Sequence, residues 1–329
     1  MEPGRDNNLT MPAGRVLGVM AIALAIAALF NSEAMVRAGE GMHPGPTRDV
    51  LLSVARPIDD VAGAIGLHLP RDGLDLAFGQ EDKTESGTEL EKGSAAILRR
   101  NRQKRDKQGF AQPTTADPLD VLVTGDSQAE FLGQRLIDQS PEGLLEVTTV
   151  ARNATGLTNP AFFNWQINAQ QEVADRDPDA VVMAIGGNDG FNVETADGSL
   201  YNPGEPGWET EFARRVAVVS SVLSGGGERP VYWVPPPTAR DPELNEIYAS
   251  QNRAVERATE AISALRYVDV YSTLSRGRYS DTLKIDGRRV IARQADGVHF
   301  TREGAVAAVR LILDAMAEDF PDLGARAGR

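Results

Sequence analysis

Gly125-Asp126-Ser127 directly follows the apolar run Val121-Leu122-Val123, so a strand would end in a turn that presents one hydroxyl at the edge of a sheet. A serine there becomes a nucleophile only when a base removes its proton and hydrogen-bond donors await the developing oxyanion. The chain offers candidates for both. Asp296-Gly297-Val298-His299 stands near the C-terminus, and His299 is the only histidine beyond residue 68. Asp296, three residues earlier in a glycine-containing loop, can accept from Nδ1 and leave Nε2 facing Ser127, with the carboxylate fixing the tautomer. Asn188 follows the apolar run Ala180–Ile185 through Gly186-Gly187, and its amide is a neutral donor suited to an oxyanion. Gly156, in Asn153-Ala154-Thr155-Gly156-Leu157, can offer a backbone N–H with no side chain in the way, or can simply serve a turn. For Ser127 the plain alternative is a helix cap. Asp189 braces the Asn188 loop in this reading and has no chemical part.

The elements that must position these residues alternate from Asp120 onward. Apolar runs at 121–124, 147–151, 180–185, 231–234 and 267–271 read as strands, and helical patterns fall at 129–138, 162–175, 209–223, 243–265 and 301–318. Ser127 is expected to open the first helix, at its positive terminus. Thr301, with Glu303 in the first turn, starts the last. Strand–helix alternation with nearly continuous apolar strands predicts a parallel sheet with helices on both faces.

Composition narrows the function. Of 329 residues 41% are hydrophobic and 25% charged, as in a globular protein, and the length allows one domain of roughly 200 residues plus further segments. A net charge of −13 argues against a nucleic-acid partner. The absence of cysteine excludes disulfides and thiolate metal sites, and having only His43, His68 and His299 argues against a histidine-rich one; neither metal nor cofactor is expected.

The N-terminal third has a different character. Val16–Phe30 is an apolar run preceded by Arg5 and Arg15, about 25 Å long as a helix. It reads first as an uncleaved anchor, with residues 16–32 tethering the protein to the cytoplasmic membrane. A cleaved secretory signal and a buried helix are the other readings, and Val36-Arg37-Ala38 is a poor cleavage site. Either of the first two places the rest of the chain outside the cytoplasm. Residues 39–78 form a juxtamembrane segment whose Leu51, Val54, Ile58, Val61 and Ile65 recur at helical spacing, packed on the domain or lying on the membrane. Residues 79–118, acidic then basic, read as a charged linker, and residues 119–329 as the catalytic domain, with residues 1–38 the signal or anchor.

The order Gly-Asp-Ser, Gly, Gly-x-Asn-Asp, Asp-x-x-His resembles that of the SGNH (GDSL-type) serine hydrolases, over roughly Asp120 to Asp319. The resemblance implies a doubly wound α/β/α sandwich. It also implies Ser127 as nucleophile, an oxyanion hole made of the Ser127 N–H, the Gly156 N–H and the Asn188 side chain, and a triad completed by Asp296 and His299. The sequence departs from the family after the serine, where Gln128-Ala129-Glu130 replaces the usual Thr and early Gly. The stretch 153–165 is similar to a membrane-anchored bacterial branch. An extracytoplasmic esterase acting on a small acyl group such as acetyl, on an envelope glycan or another ester, is the implied function. An O-acyltransferase using the same acyl-enzyme and a non-catalytic scaffold of the same fold are the alternatives. Trp165, Phe191, Tyr201, Trp208 and Trp233 are the aromatics near the site loops. The stretch Tyr201–Trp208 is either an overhanging lid or sugar platform, or a surface loop with Trp208 in the core; Pro235–Asp241 reads as a second stiff loop.

Overall fold

The computed structural model describes residues 46–64 and 110–326, together with Leu29, Ser32, Met35 and Val36. Two compact units divide the chain between Lys83 and Thr84.

In the first unit, helix α1 spans Pro46–Ala64, with Pro57 inside it. Leu52, Ala55 and Ala62 are buried, whereas Val50, Val54 and Val61 are exposed. The Ser32 hydroxyl donates to Asp59 Oδ1 at 2.8 Å. The apolar run Val16–Phe30, apart from Leu29, lies outside the described residues, as does most of the expected linker. Among the described residues no helix is long and apolar enough to cross a membrane.

The second unit is built on five parallel strands: β1 (Leu119–Gly125), β2 (Leu145–Ala151), β3 (Ala180–Ala184), β6 (Val231–Val234) and β7 (Leu265–Tyr267), in the order β2-β1-β3-β6-β7. Alternation along these strands feeds two cores. Val121, Val123, Val182 and Ala184 pack on one face beneath helices α2 (Leu132–Gln139) and α7 (Arg302–Asp319). Leu122, Val181, Met183 and Trp233 pack on the other beneath α3 (Trp165–Arg176), α4 (Pro206–Leu223) and α5 (Pro242–Thr259). Helices therefore cover both faces of one parallel sheet. The chain leaves β1 for one neighbour, β2, and then returns past it to β3 on the other side. That reversal opens a crevice at the carboxyl ends of β1 and β3, the place where ligands bind in open α/β sheets.

The register of this scaffold differs from the sequence reading in several places. The expected strand 267–271 is instead β7 followed by a short helix, α6 (Val270–Ser275), because Asp269 accepts from the Ser272 N–H and starts a helix there. The expected helix opening at Ser127 is instead a 3₁₀ turn, Ser127–Ala129, capped by Asp126, and α2 begins only at Leu132. Asn164 caps α3, delaying it to Trp165. Two small antiparallel hairpins went unread: β4 (Val193–Glu194) with β5 (Leu200–Tyr201), and β8 (Thr282–Ile285) with β9 (Arg288–Ile291). Residues 110–118, placed in the linker by their polarity, lie on the domain: Phe110 packs against Phe320 and Gln112 donates to the Asp319 carbonyl at 2.9 Å.

Candidate active site

β1 delivers Ser127 through a turn that only glycine can make. Gly125 has φ +141, and a Cβ there would collide with the Ala184 carbonyl of the neighbouring strand. The same carbonyl accepts from the Asp126 N–H at 3.0 Å, so β1 ends clamped against β3. Ser127 Oγ lies 2.7 Å from His299 Nε2, and His299 Nδ1 lies 2.7 Å from Asp296 Oδ2. The three side chains form one hydrogen-bonded chain across 172 residues of sequence.

The histidine loop is held from several sides. Asp296 Oδ1 accepts from the backbone N–H groups of Val298 (2.8 Å) and His299 (3.1 Å). Burial works to raise the Asp296 carboxyl, but these bonds and the imidazole outweigh it and hold the group below the usual carboxylate range. Thr301 caps α7 immediately afterwards. Arg293 is 5% exposed and donates to the Val298 carbonyl at 2.7 Å and the Thr238 carbonyl at 2.6 Å. It also lies over the Phe300 ring, 4.6 Å from its centre. Burial lowers its pKa to about 10, which still leaves it charged at neutral pH. Arg240 donates to the Ala295 carbonyl at 2.7 Å, and its N–H to the Gly297 carbonyl at 3.0 Å. In the loop read as Pro235–Asp241, residues 235–239 are buried, and Thr238 accepts from Arg293.

Across the crevice the Gly186-Gly187-Asn188 loop after β3 is fastened to Asp126. Asp126 Oδ2 accepts from Gly186 N at 3.0 Å and Gly187 N at 2.8 Å, while Oδ1 accepts from Gln128 N at 2.8 Å. Burial pushes its carboxyl up to about 6 against those donors. Sequence reasoning quoted Asp126 within its motif and gave it no part. Its signal was available, since a carboxylate next to the serine and facing two glycines invites backbone donors. Asn188 is buried, with Nδ2 3.1 Å from the Thr155 carbonyl and 3.4 Å from Asp126 Oδ2. Gly156 is buried beside Asp189, where a Cβ would sit 2.5 Å from Oδ1. Thr155 Oγ1 accepts from the Trp165 indole at 3.1 Å, tying this turn to α3.

Ser127, Gly156, Asn188, Asp296 and His299 are thus carried by loops that converge on one crevice. The aromatic platform is not built as one reading had it. Trp208 is fully buried, stacked on Phe212 at 4.9 Å and donating to the Phe191 carbonyl at 2.8 Å. Trp165 and Trp233 are core residues as well.

Fold and site together define a doubly wound α/β protein with a serine–histidine–aspartate chain at the reversal point of its sheet. Residues 120–315 match the family described as "Protein of unknown function (DUF459)", and the chain belongs to that family. No curated protein sequence matches it. Among solved structures it is similar to an acetyl xylan esterase, with 15% identity over 60% of this chain and 99% of that one and a TM-score of 0.43. It is also similar to a family 3 carbohydrate esterase of Clostridium thermocellum, with 15% identity over 64% and 100% and a TM-score of 0.40. A catalytic mutant of an acetylxylan esterase from Geobacillus stearothermophilus shares 16% identity over 65% and 96%, with a TM-score of 0.38.

Proposed function

We propose that the protein is an SGNH-type serine esterase that removes a small acyl group through a covalent acyl-enzyme. The observation that carries this reading is the chain Ser127 Oγ–His299 Nε2–Nδ1–Asp296 at 2.7 Å per link. His299 takes the hydroxyl proton as Oγ attacks the ester carbonyl, and Asp296 stabilises the imidazolium. The oxyanion is received by the N–H groups of Ser127 and Gly156 and by the Asn188 amide, whose long 3.4 Å contact to Asp126 is the one that yields. Collapse of the intermediate breaks the C–O bond, and the alcohol departs with the proton from His299. Water then attacks the acyl-Ser127, His299 taking its proton, and the carboxylic acid leaves as Oγ is reprotonated. No step calls for a metal or cofactor.

Gly156 and Asn188, which would flank the acyl carbonyl, are both buried, which favours a small acyl group such as acetyl. The apolar run Val16–Phe30 and the arginines before it support a tether with the enzyme outside the cytoplasm, where an acylated envelope glycan is within reach. Fluorophosphonate labelling and aryl acetate turnover test the chemistry. Ser127→Ala abolishes labelling, and Ser127→Ala and His299→Ala each lower turnover by several orders of magnitude at nearly unchanged melting temperature. Full activity in either variant removes the assignment.

A further inference from the structure

Asn188 and its neighbour Asp189 reach the same turn. Asn188 Nδ2 donates to the Thr155 carbonyl at one end, at 3.1 Å. Asp189 Oδ1 accepts from the Thr158 N–H at 2.7 Å and the Thr158 hydroxyl at 2.9 Å at the other. Between these two grips lies Gly156, and the missing Cβ is what lets the Asp189 carboxyl pack against it. The Asp189 backbone is itself fixed, its carbonyl accepting from Gln251 Nε2 at 3.1 Å. The side chain that ties the Gly156 turn to the Asn188 loop is therefore a buried carboxyl.

Its charge state follows from its donors. Asp126, the other fully buried carboxyl of the crevice, receives three backbone N–H groups, the environment of an anion. Asp189 receives both of its hydrogen bonds on one oxygen. Oδ2 is buried with no hydrogen-bond partner among the described residues. The charged and titratable groups facing Asp189 are Asp126 from the end of β1, Arg215 from α4 and Tyr248 from α5. Arg215 is engaged elsewhere, with Glu211 at 2.8 Å and the Leu157 carbonyl at 2.9 Å. The Tyr248 hydroxyl donates to the Gly187 carbonyl at 3.0 Å. An anion packed against Gly156 would oppose any negative charge developing at that N–H, and a neutral acid would not.

We propose that Asp189 is the positioning residue that sets the Gly156 turn against Asn188, and that it does so as the neutral carboxylic acid. The proposal rests on the esterase reading above. Burial, with the Asp126 charge adding to it and the Thr158 bonds opposing it, lifts the Asp189 carboxyl to about 7. Turnover in the wild type accordingly falls as pH rises beyond that range.

The test uses the full chain, aryl acetate turnover across about pH 5 to 9, and fluorophosphonate labelling. Asp189→Ala releases the turn, and kcat drops about 10- to 100-fold with KM within about twofold. Asp189→Asn keeps an oxygen for the Thr158 donors and cannot ionise. It recovers most of the loss and removes the alkaline fall. Thr158→Val deletes one of the two donors from the other side, and its kcat drops about threefold or more even if the alanine variant fails to fold. An asparagine variant as impaired as alanine, a loss expressed in KM, or an alkaline fall that persists in Asp189→Asn overturns the proposal. A wild type that neither turns over nor labels removes the esterase reading and this proposal with it. Normal labelling with kcat indifferent to Asp189→Ala and Thr158→Val removes this proposal alone.

Discussion

Two carboxyls sealed beneath the crevice make the stability of this protein depend on pH in an unusual direction, and Asp189→Asn is the perturbation that exposes it. Burial lifts Asp189 from 3.8 to about 7 and Asp126 to about 6. A raised carboxyl means that the folded chain holds a proton which the unfolded chain has already released. Stability from such a group is therefore full below about pH 4 and is lost as pH climbs through the folded value. At ~1.4 kcal/mol per pH unit, ionising Asp189 alone costs up to about 4 kcal/mol by pH 8. Asn cannot ionise, and it keeps the oxygen that serves Thr158. The partnerless Oδ2 simply becomes a partnerless amide nitrogen. Urea unfolding of both proteins at half-unit steps from about pH 4 to 8 supplies the comparison. Near pH 4 the two have similar stability, and the variant gains progressively until it is a few kcal/mol more stable at pH 8. Asp296 acts with the opposite sign, since its lowered pKa adds stability that is lost on acidification, but it is present in both proteins and cancels in the difference. A difference that stays flat within about 0.5 kcal/mol, the size of a plain surface substitution, refutes the reasoning.

Other expectations follow from the same geometry. Asn188→Ala lowers kcat by about 10²–10³ with KM nearly unchanged, the usual loss for one oxyanion donor, as turnover and unfolding measured on one sample will show. Gly125→Ala, which forces an L side chain into φ +141 and against the Ala184 carbonyl, costs more than about 3 kcal/mol, read as a fall in the urea midpoint or a loss of folded protein. Alkaline phosphatase fused after Asp120 is active in cells if the N-terminal run exports the chain, and a stable but inactive fusion reverses the compartment. Activity in the soluble exported fraction marks the run as a cleaved signal.

The three central strands were legible because they are buried on both faces and read as unbroken apolar runs: Val121–Val123, Ala180–Ala184 and Val231–Val234 are all core. Ser127, Gly156 and Asn188 were legible because each follows the end of an apolar strand, and Asp296 and His299 because of their spacing just before the capped last helix. What failed was local. Val268, Val270 and Tyr271 look like a strand, yet Asp269 starts a helix at Val270 by accepting a backbone N–H, a competition that hydrophobic pattern does not register. The hairpin Thr282–Ile291 was missed because its strands carry Lys284, Arg288 and Arg289 and bury neither face fully. Its Asp286-Gly287 turn, with φ of 50 and 77, was the signal that could have found it. The contacts of Asp189 and Arg293 join loops distant in sequence, and no spacing rule announces them.

The link between Ser127 and His299 spans 172 residues, and it closes only when the last fifth of the polypeptide has joined the sheet. A ribosome releases the chain N-terminus first, so under the proposed mechanism Ser127 emerges long before His299. Nascent, truncated or proteolytically trimmed chains that lack the C-terminal loop lack the proposed base, and their Ser127 is expected to be inert. Pairings this remote also form late during folding, because the entropy of closing so long a loop is met before any contact rewards it. On the proposed mechanism, competence therefore requires synthesis and folding at least through His299. A pulse-chase that follows fluorophosphonate labelling will see reactivity appear with the final turn of the chain, after compactness.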